Sequence, residues 1–207
     1  MNILRTKFSK RQNRVLNSTI HWAVETFQNE LVDTLCDFGA ISVVDLNGQS
    51  ALHVAAIVGN SEAAALLINA GVHVDVMDGK GQTPLHLAVD FGQINLIQTL
   101  ISCSANVDVV DWLGETALHH AITLQKTVRA SLTADKGMAI QRHRNETLLY
   151  RPNSERLEET IKIIETLLAA GANANVLNNL GETALHRVIK KYYVGEKPIG
   201  CIEANVI

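Results

Sequence analysis

The sequence predicts an all-α solenoid, an array of helix pairs repeating every 33 residues in about four to five units. Three observations lead there. Histidines fall at 53, 86, 119 and 186, with spacings of 33, 33 and 67, each inside the related strings Ala51-Leu52-His53, Pro84-Leu85-His86, Ala117-Leu118-His119 and Ala184-Leu185-His186. Other positions keep the same phase: Asp45, Asp78, Asp111 and Asn178 each stand three before a glycine and five before a serine or threonine. The composition agrees, because 47% hydrophobic residues with only 4% aromatics and three prolines call for a core of Ala, Val, Ile and Leu carried on helices.

Each part of the period has a local cause. Asp-x-x-Gly is a turn in which the carboxylate takes backbone amides and the glycine takes the left-handed conformation. Thr83-Pro84 starts a helix, since the hydroxyl suits the cap position and proline lacks only an amide that the first turn leaves unpaired anyway. Ala55-Ala56 lets neighbouring helices approach closely. A second apolar helix follows at 63–70, ended by Gly71, and the alternating stretch 72–77 leads to the next unit. The units read as 13–44, 45–77, 78–110, 111–177 and a truncated unit in 178–207, behind a basic arm at 1–12. The first unit is degenerate: Ile20-His21-Trp22-Ala23 lies 32 before the His53 string, and the Asp-x-x-Gly turn is missing.

From His119 to Gly171 is 52 residues, against 18 from His53 to Gly71. The 34-residue excess places an insertion at about 125–156, between the two helices of one unit. It reads as a long loop or partly helical excursion, with a hidden repeat as the alternative. After Tyr192-Tyr193 no second helix is visible, so the sequence alone also allows a fragment or truncated isoform.

These strings resemble the ankyrin repeat, with its T-P-L-H-x-A signature and period near 33. The resemblance covers about 13–192. It implies helix–turn–helix units joined by β-hairpin fingers, histidines that hydrogen-bond within and between repeats, and a non-catalytic protein-binding module. Partners of such arrays usually contact the hairpin tips and the C-terminal ends of the first helices. By position in the repeat this selects Leu46, Asn47, Gln49, Ile57 and Val58; then Gly79, Lys80, Gln82, Asp90 and Phe91; then Trp112, Leu113, Glu115, Thr123 and Leu124; then Asn179, Leu180 and Glu182. Ile57, Val58, Phe91, Trp112, Leu113 and Leu124 form an apolar strip, open to a partner or covered by the insertion that leaves directly after Leu124.

Charge narrows the partner. Residues 25–124 carry twelve acids and one base, Lys80, while 1–24 carry five bases and no acid and 125–156 carry seven bases and three acids. The acidic middle repels nucleic acid and attracts a basic protein segment. The longest stretch without a formal charge, 91–107, is polar in part and shorter than a membrane span. Cys36, Cys103 and Cys201 are odd in number and far apart, which argues against a disulfide scaffold or a zinc site and for a reducing, cytoplasmic setting. The bases at 7–14 resemble a loose nuclear-import signal, so a nuclear location is a further expectation. No phosphate loop, nucleophile elbow or dinucleotide fingerprint is present, so neither catalysis nor a cofactor nor a metal is expected. The reading is therefore a monomeric adaptor or inhibitor. Its alternatives are a substrate-recognition subunit of a ubiquitin ligase or other complex, and a structural spacer.

Overall fold

A computed structural model of the protein describes residues 19–39, 41, 43–123, 153–187 and 189. Helices come in pairs: α1 (19–25) with α2 (Asn29–Asp37), α3 (Ala51–Val58) with α4 (Ser61–Asn69), and α5 (Pro84–Asp90) with α6 (Ile94–Ser102). Helix α7 (117–123), α8 (Asn153–Ala169) and a helical stretch at 184–187 follow in chain order. Inner helix α3 packs on α5, while α2, α4, α6 and α8 pack in succession as an outer layer. Among the described residues the fingers carry only isolated antiparallel bridges, Val44 with Ser50 and Val110 with Thr116. The implied hairpins are thus tight turns closed by single bridges.

The core follows the repeat phase. Leu52, Leu85 and Leu118 are buried, as are Ala55, Ala56, Ala88 and Ala121, whose small side chains let the inner helices lie close. Leu185 has the same phase yet is 62% exposed.

The turns form as the sequence implies. Oδ1 of Asp45 accepts the amides of Asn47 and Gln49, both at 2.8 Å, and Asp78, Asp111 and Asn178 repeat the pattern in their own turns. Each turn then sits on the one before: the amides of Gly79, Trp112 and Asn179 donate to the carbonyls of Asn47, Lys80 and Leu113, at 2.9, 3.2 and 3.0 Å. The turn at 178 thus bonds directly to the turn at 111. Residues 124–152, most of the insertion including Leu124, lie outside the described residues, as do the basic arm at 1–12 and Cys201. Helix α8 begins at Asn153, four residues inside the span 125–156 assigned to the insertion.

The repeat histidines tie each helix start to the next unit. Ser50, Thr83 and Thr116 donate their amides to Nδ1 of His53, His86 and His119, at 3.1, 3.1 and 3.2 Å. An amide can only donate, so Nδ1 carries no proton. The opposite nitrogen then bears the hydrogen. That Nε2–H donates to the carbonyls of Gln82, Glu115 and Glu182 in the following units, at 3.0, 3.0 and 3.2 Å. His21 of the degenerate first unit keeps the same link, to the Gln49 carbonyl at 2.9 Å. Burial holds the His53 imidazole below its ordinary pKa. His86 is pushed down to about 4, first by burial and second by the ring of His120 beside it.

Two more ties run along the stack. Asn60 donates its side-chain amide to the Val24 carbonyl and Gln93 donates to that of Ile57. The Asp75 and Asp108 carboxylates accept the amides of Asn106 and Asn173. At the inner-helix ends, Gly59 and Gly92 take positive φ, and the first unit places Phe27 there at φ 58°. A bulky residue in that conformation is one cost of its degeneracy.

Two glycines separate strain from collision. Gly48 (φ +75°) and Gly71 (φ +99°) both occupy the left-handed region, but a Cβ on Gly48 would lie 2.7 Å from the Gly79 amide nitrogen, whereas one on Gly71 meets nothing within 4 Å. Gly71→Ala is expected to cost about 1 kcal/mol and Gly48→Ala roughly 2–4 kcal/mol in urea unfolding, because the second also pushes two turns apart.

The depressed histidines set an acid limit. Their stabilisation is fully present above an unfolded pKa of about 6.5 and is lost as pH falls toward the folded value of about 4 for His86. Urea midpoints measured from pH 6.5 down to 4 should drop steadily. His86→Gln, which cannot take up the proton, should flatten the drop by on the order of 3 kcal/mol.

Candidate functional site

The turn stack aligns the finger tips. Leu46 is fully exposed, Leu180 is 73% exposed, and Trp112 and Leu113 are 68% and 64% exposed. Their backbones are fixed: Leu113 and Leu180 donate amides to Asp111 and Asn178, and the Trp112 amide is tied to Lys80 of the preceding turn. The Trp112 indole rests against Gly81, where a Cβ would collide with the ring. One edge of the indole is thus seated on the preceding unit while most of it faces solvent. The Asn179 side-chain amide donates to the Trp112 carbonyl at 2.9 Å, joining Trp112 and Leu113 to the last described turn.

The other sequence-predicted residues divide by burial. Lys80 is exposed beside Trp112, and Phe91 is 54% exposed at the end of α5. Ile57 and Val58 are half-buried and pack against the core, and Gln49 is half-buried, its carbonyl occupied by His21. Asp90 is half-buried with its carboxylate turned to His120. Glu115 is corrected. Its side chain is buried and ion-paired with Arg187, so it offers no accessible contact surface. Its position before the turn threonine suggested a tip residue, but in this unit the chain uses it to hold the next one.

The sequence reading missed the cluster to which Asp90 and Glu115 belong. His120 Nδ1 lies 2.9 Å from Asp90 Oδ1, and Nε2 lies 3.4 Å from Asp111 Oδ2 and 4.0 Å from Glu115 Oε2. Its ring meets that of His86 edge-on, with centroids 5.0 Å apart. The signal was present: the residue after each repeat histidine is Val54, then Leu87, then His120, then Arg187, a change from apolar to basic at one phase. His119 and His120 accordingly serve separate partners. Among the described residues no group of three or more His, Cys, Asp or Glu is arranged to hold a metal, and no helix is long and apolar enough to cross a membrane. Cys36 and Cys103 are partly buried thiols, and burial together with Asp33 and Asp37 pushes the Cys36 pKa up.

Comparison with known proteins agrees with this geometry. A family model for ankyrin repeats (3 copies) matches residues 6–78 and 59–141. The search of curated proteins finds no match. The turn and histidine links continue past the matched span into the unit at 178, which repeats the same bonds. With more than half of its length matched and the repeat geometry carried through the stack, the chain belongs to the ankyrin repeat family, whose repeats are generally protein–protein interaction modules.

Proposed function

We propose that this protein is an adaptor or inhibitor that docks a protein partner across its finger tips, with Trp112 and Leu113 as the anchor and Leu46, Lys80, Phe91 and Leu180 around it. The observation that carries the reading is the seat of Trp112. Its backbone is bonded to the unit before it, its ring is held on Gly81, and it is still 68% exposed. A large apolar side chain fixed in place and left open loses little conformational freedom on docking, which is what an interface anchor requires. The exposed side chain of Asp45 lies in the first of the finger turns, and 25–124 carry a strong acidic excess. A partner segment carrying basic residues beside an apolar anchor suits this surface. The reading takes the protein as a monomer in the cytoplasm.

The test is affinity capture and cross-linking mass spectrometry of the tagged full chain from its native cells, wild type against Trp112→Ala. The substitution should leave the unfolding free energy within about 0.5–1 kcal/mol, because most of the ring is exposed. It should weaken partner binding by at least ~1 kcal/mol. Capture that is unchanged in Trp112→Ala, with stability unchanged, would remove the tips from the site. A partner set made only of ubiquitin-ligase subunits would favour the recognition-subunit role.

A further inference from the structure

The histidine after the fourth unit's repeat histidine faces the opposite chemical demand from its neighbours. His53, His86 and His119 each meet one donor and one acceptor, which a neutral ring satisfies. His120 meets acceptors on both sides: the Asp90 carboxylate at Nδ1 and the Asp111 carboxylate at Nε2. A neutral imidazole has one N–H and one lone pair, so it would turn that lone pair toward a carboxylate. Only the imidazolium donates to both. We propose that His120 is a proton-operated clamp between the third and fourth units, closed as the imidazolium and loosened when it becomes neutral.

The charges facing the ring come from three sides. Helix α5 supplies Asp90 and the His86 ring, the fourth unit's turn supplies Asp111 and Glu115, and the last unit supplies Arg187 through its pair with Glu115. With the proton in place, three carboxylates share an imidazolium and a guanidinium. Without it, they share the guanidinium alone, in a buried setting where uncompensated charge is costly. His86 does not compete for the proton, because its Nδ1 is taken by the Thr83 amide and a second cation 5.0 Å away would be repelled. Asp111 links the clamp to the turn. Its Oδ2 faces His120 while its Oδ1 holds the amides of Leu113 and Glu115, and the adjacent Trp112 amide is the bond to Lys80 of the third unit.

The direction of the pH effect follows from the carboxylates. Burial opposes the charge on His120, but the hydrogen bond and charge of Asp90, with Asp111 behind them, outweigh it and raise the pKa. A raised folded pKa gives stabilisation that is full below an unfolded value of about 6.5 and is lost as pH rises through the folded one. This is the opposite sense to the acid-side loss from His53 and His86.

The experiment uses the full chain. The His120 ring is followed by NMR from pH 5.5 to 9, and amide exchange at Trp112 and Leu113 is measured over the same range after correction for intrinsic rates. His120 should titrate above 6.5, and protection of both amides should fall roughly tenfold per pH unit between 6.5 and that midpoint. His120→Gln, which is neutral at every pH, should show protection that does not change with pH above 6.5, where His53 and His86 stay neutral. A wild-type midpoint at or below 6.5, flat wild-type protection, or a His120→Gln chain that keeps the wild-type pH profile would each overturn the clamp. If His120→Gln fails to fold, the wild-type titration decides on its own.

Discussion

The stack depends on a neutral imidazole with its proton on Nε2. In that one state the ring does two things at once. Nδ1 accepts the amide at the start of its own helix, an amide the helix cannot satisfy by itself. Nε2–H reaches the finger of the next unit. Helix capping and unit stacking are thus one event, and a unit whose successor is missing leaves half of the arrangement unused. A fixed repeat of 33 residues is the consequence, because the receiving carbonyl must arrive at the same place in every finger. The first unit shows how much sequence can be lost while the link survives: it lacks the Asp-x-x-Gly turn and carries Phe27 in a left-handed conformation, yet His21 still reaches Gln49.

Placing His120 next to His119 puts the reverse chemistry one residue away. The helical twist sends the two rings to different neighbours, so a ring that must stay neutral and a ring that needs two protons coexist on α7. The His86 ring, edge-on to His120, belongs to the first kind. The repeated links define the period, and the departure from the repeat at 120 and 187 gives one junction a property the others lack. Trp112 is seated at the junction that His120 and Asp90 span.

Much of the fold was legible because the repeat encodes it locally. The start of α5 at Thr83-Pro84 and the turn glycines follow from capping and φ constraints that need no tertiary context. The exposure of Leu46, Trp112 and Leu113 followed from their place in the period. What failed depended on contacts between units. Glu115 read as a tip residue because its phase is that of Gln49 and Gln82, and only the arrival of Arg187 from 72 residues later explains its burial. Asp90 looked like a free helix-end charge until His120 was seen beside it.

The central claim is that proton placement on buried imidazoles holds the units together. The most direct measurement is the side-chain nitrogen NMR spectrum of the full chain near pH 6.5, in which chemical shifts and couplings report the tautomer and charge of each ring. The account predicts His53, His86 and His119 as neutral rings protonated on Nε2, and His120 as an imidazolium in the same spectrum. Protonation of Nδ1 in the three repeat histidines, or a neutral His120 under those conditions, would contradict it.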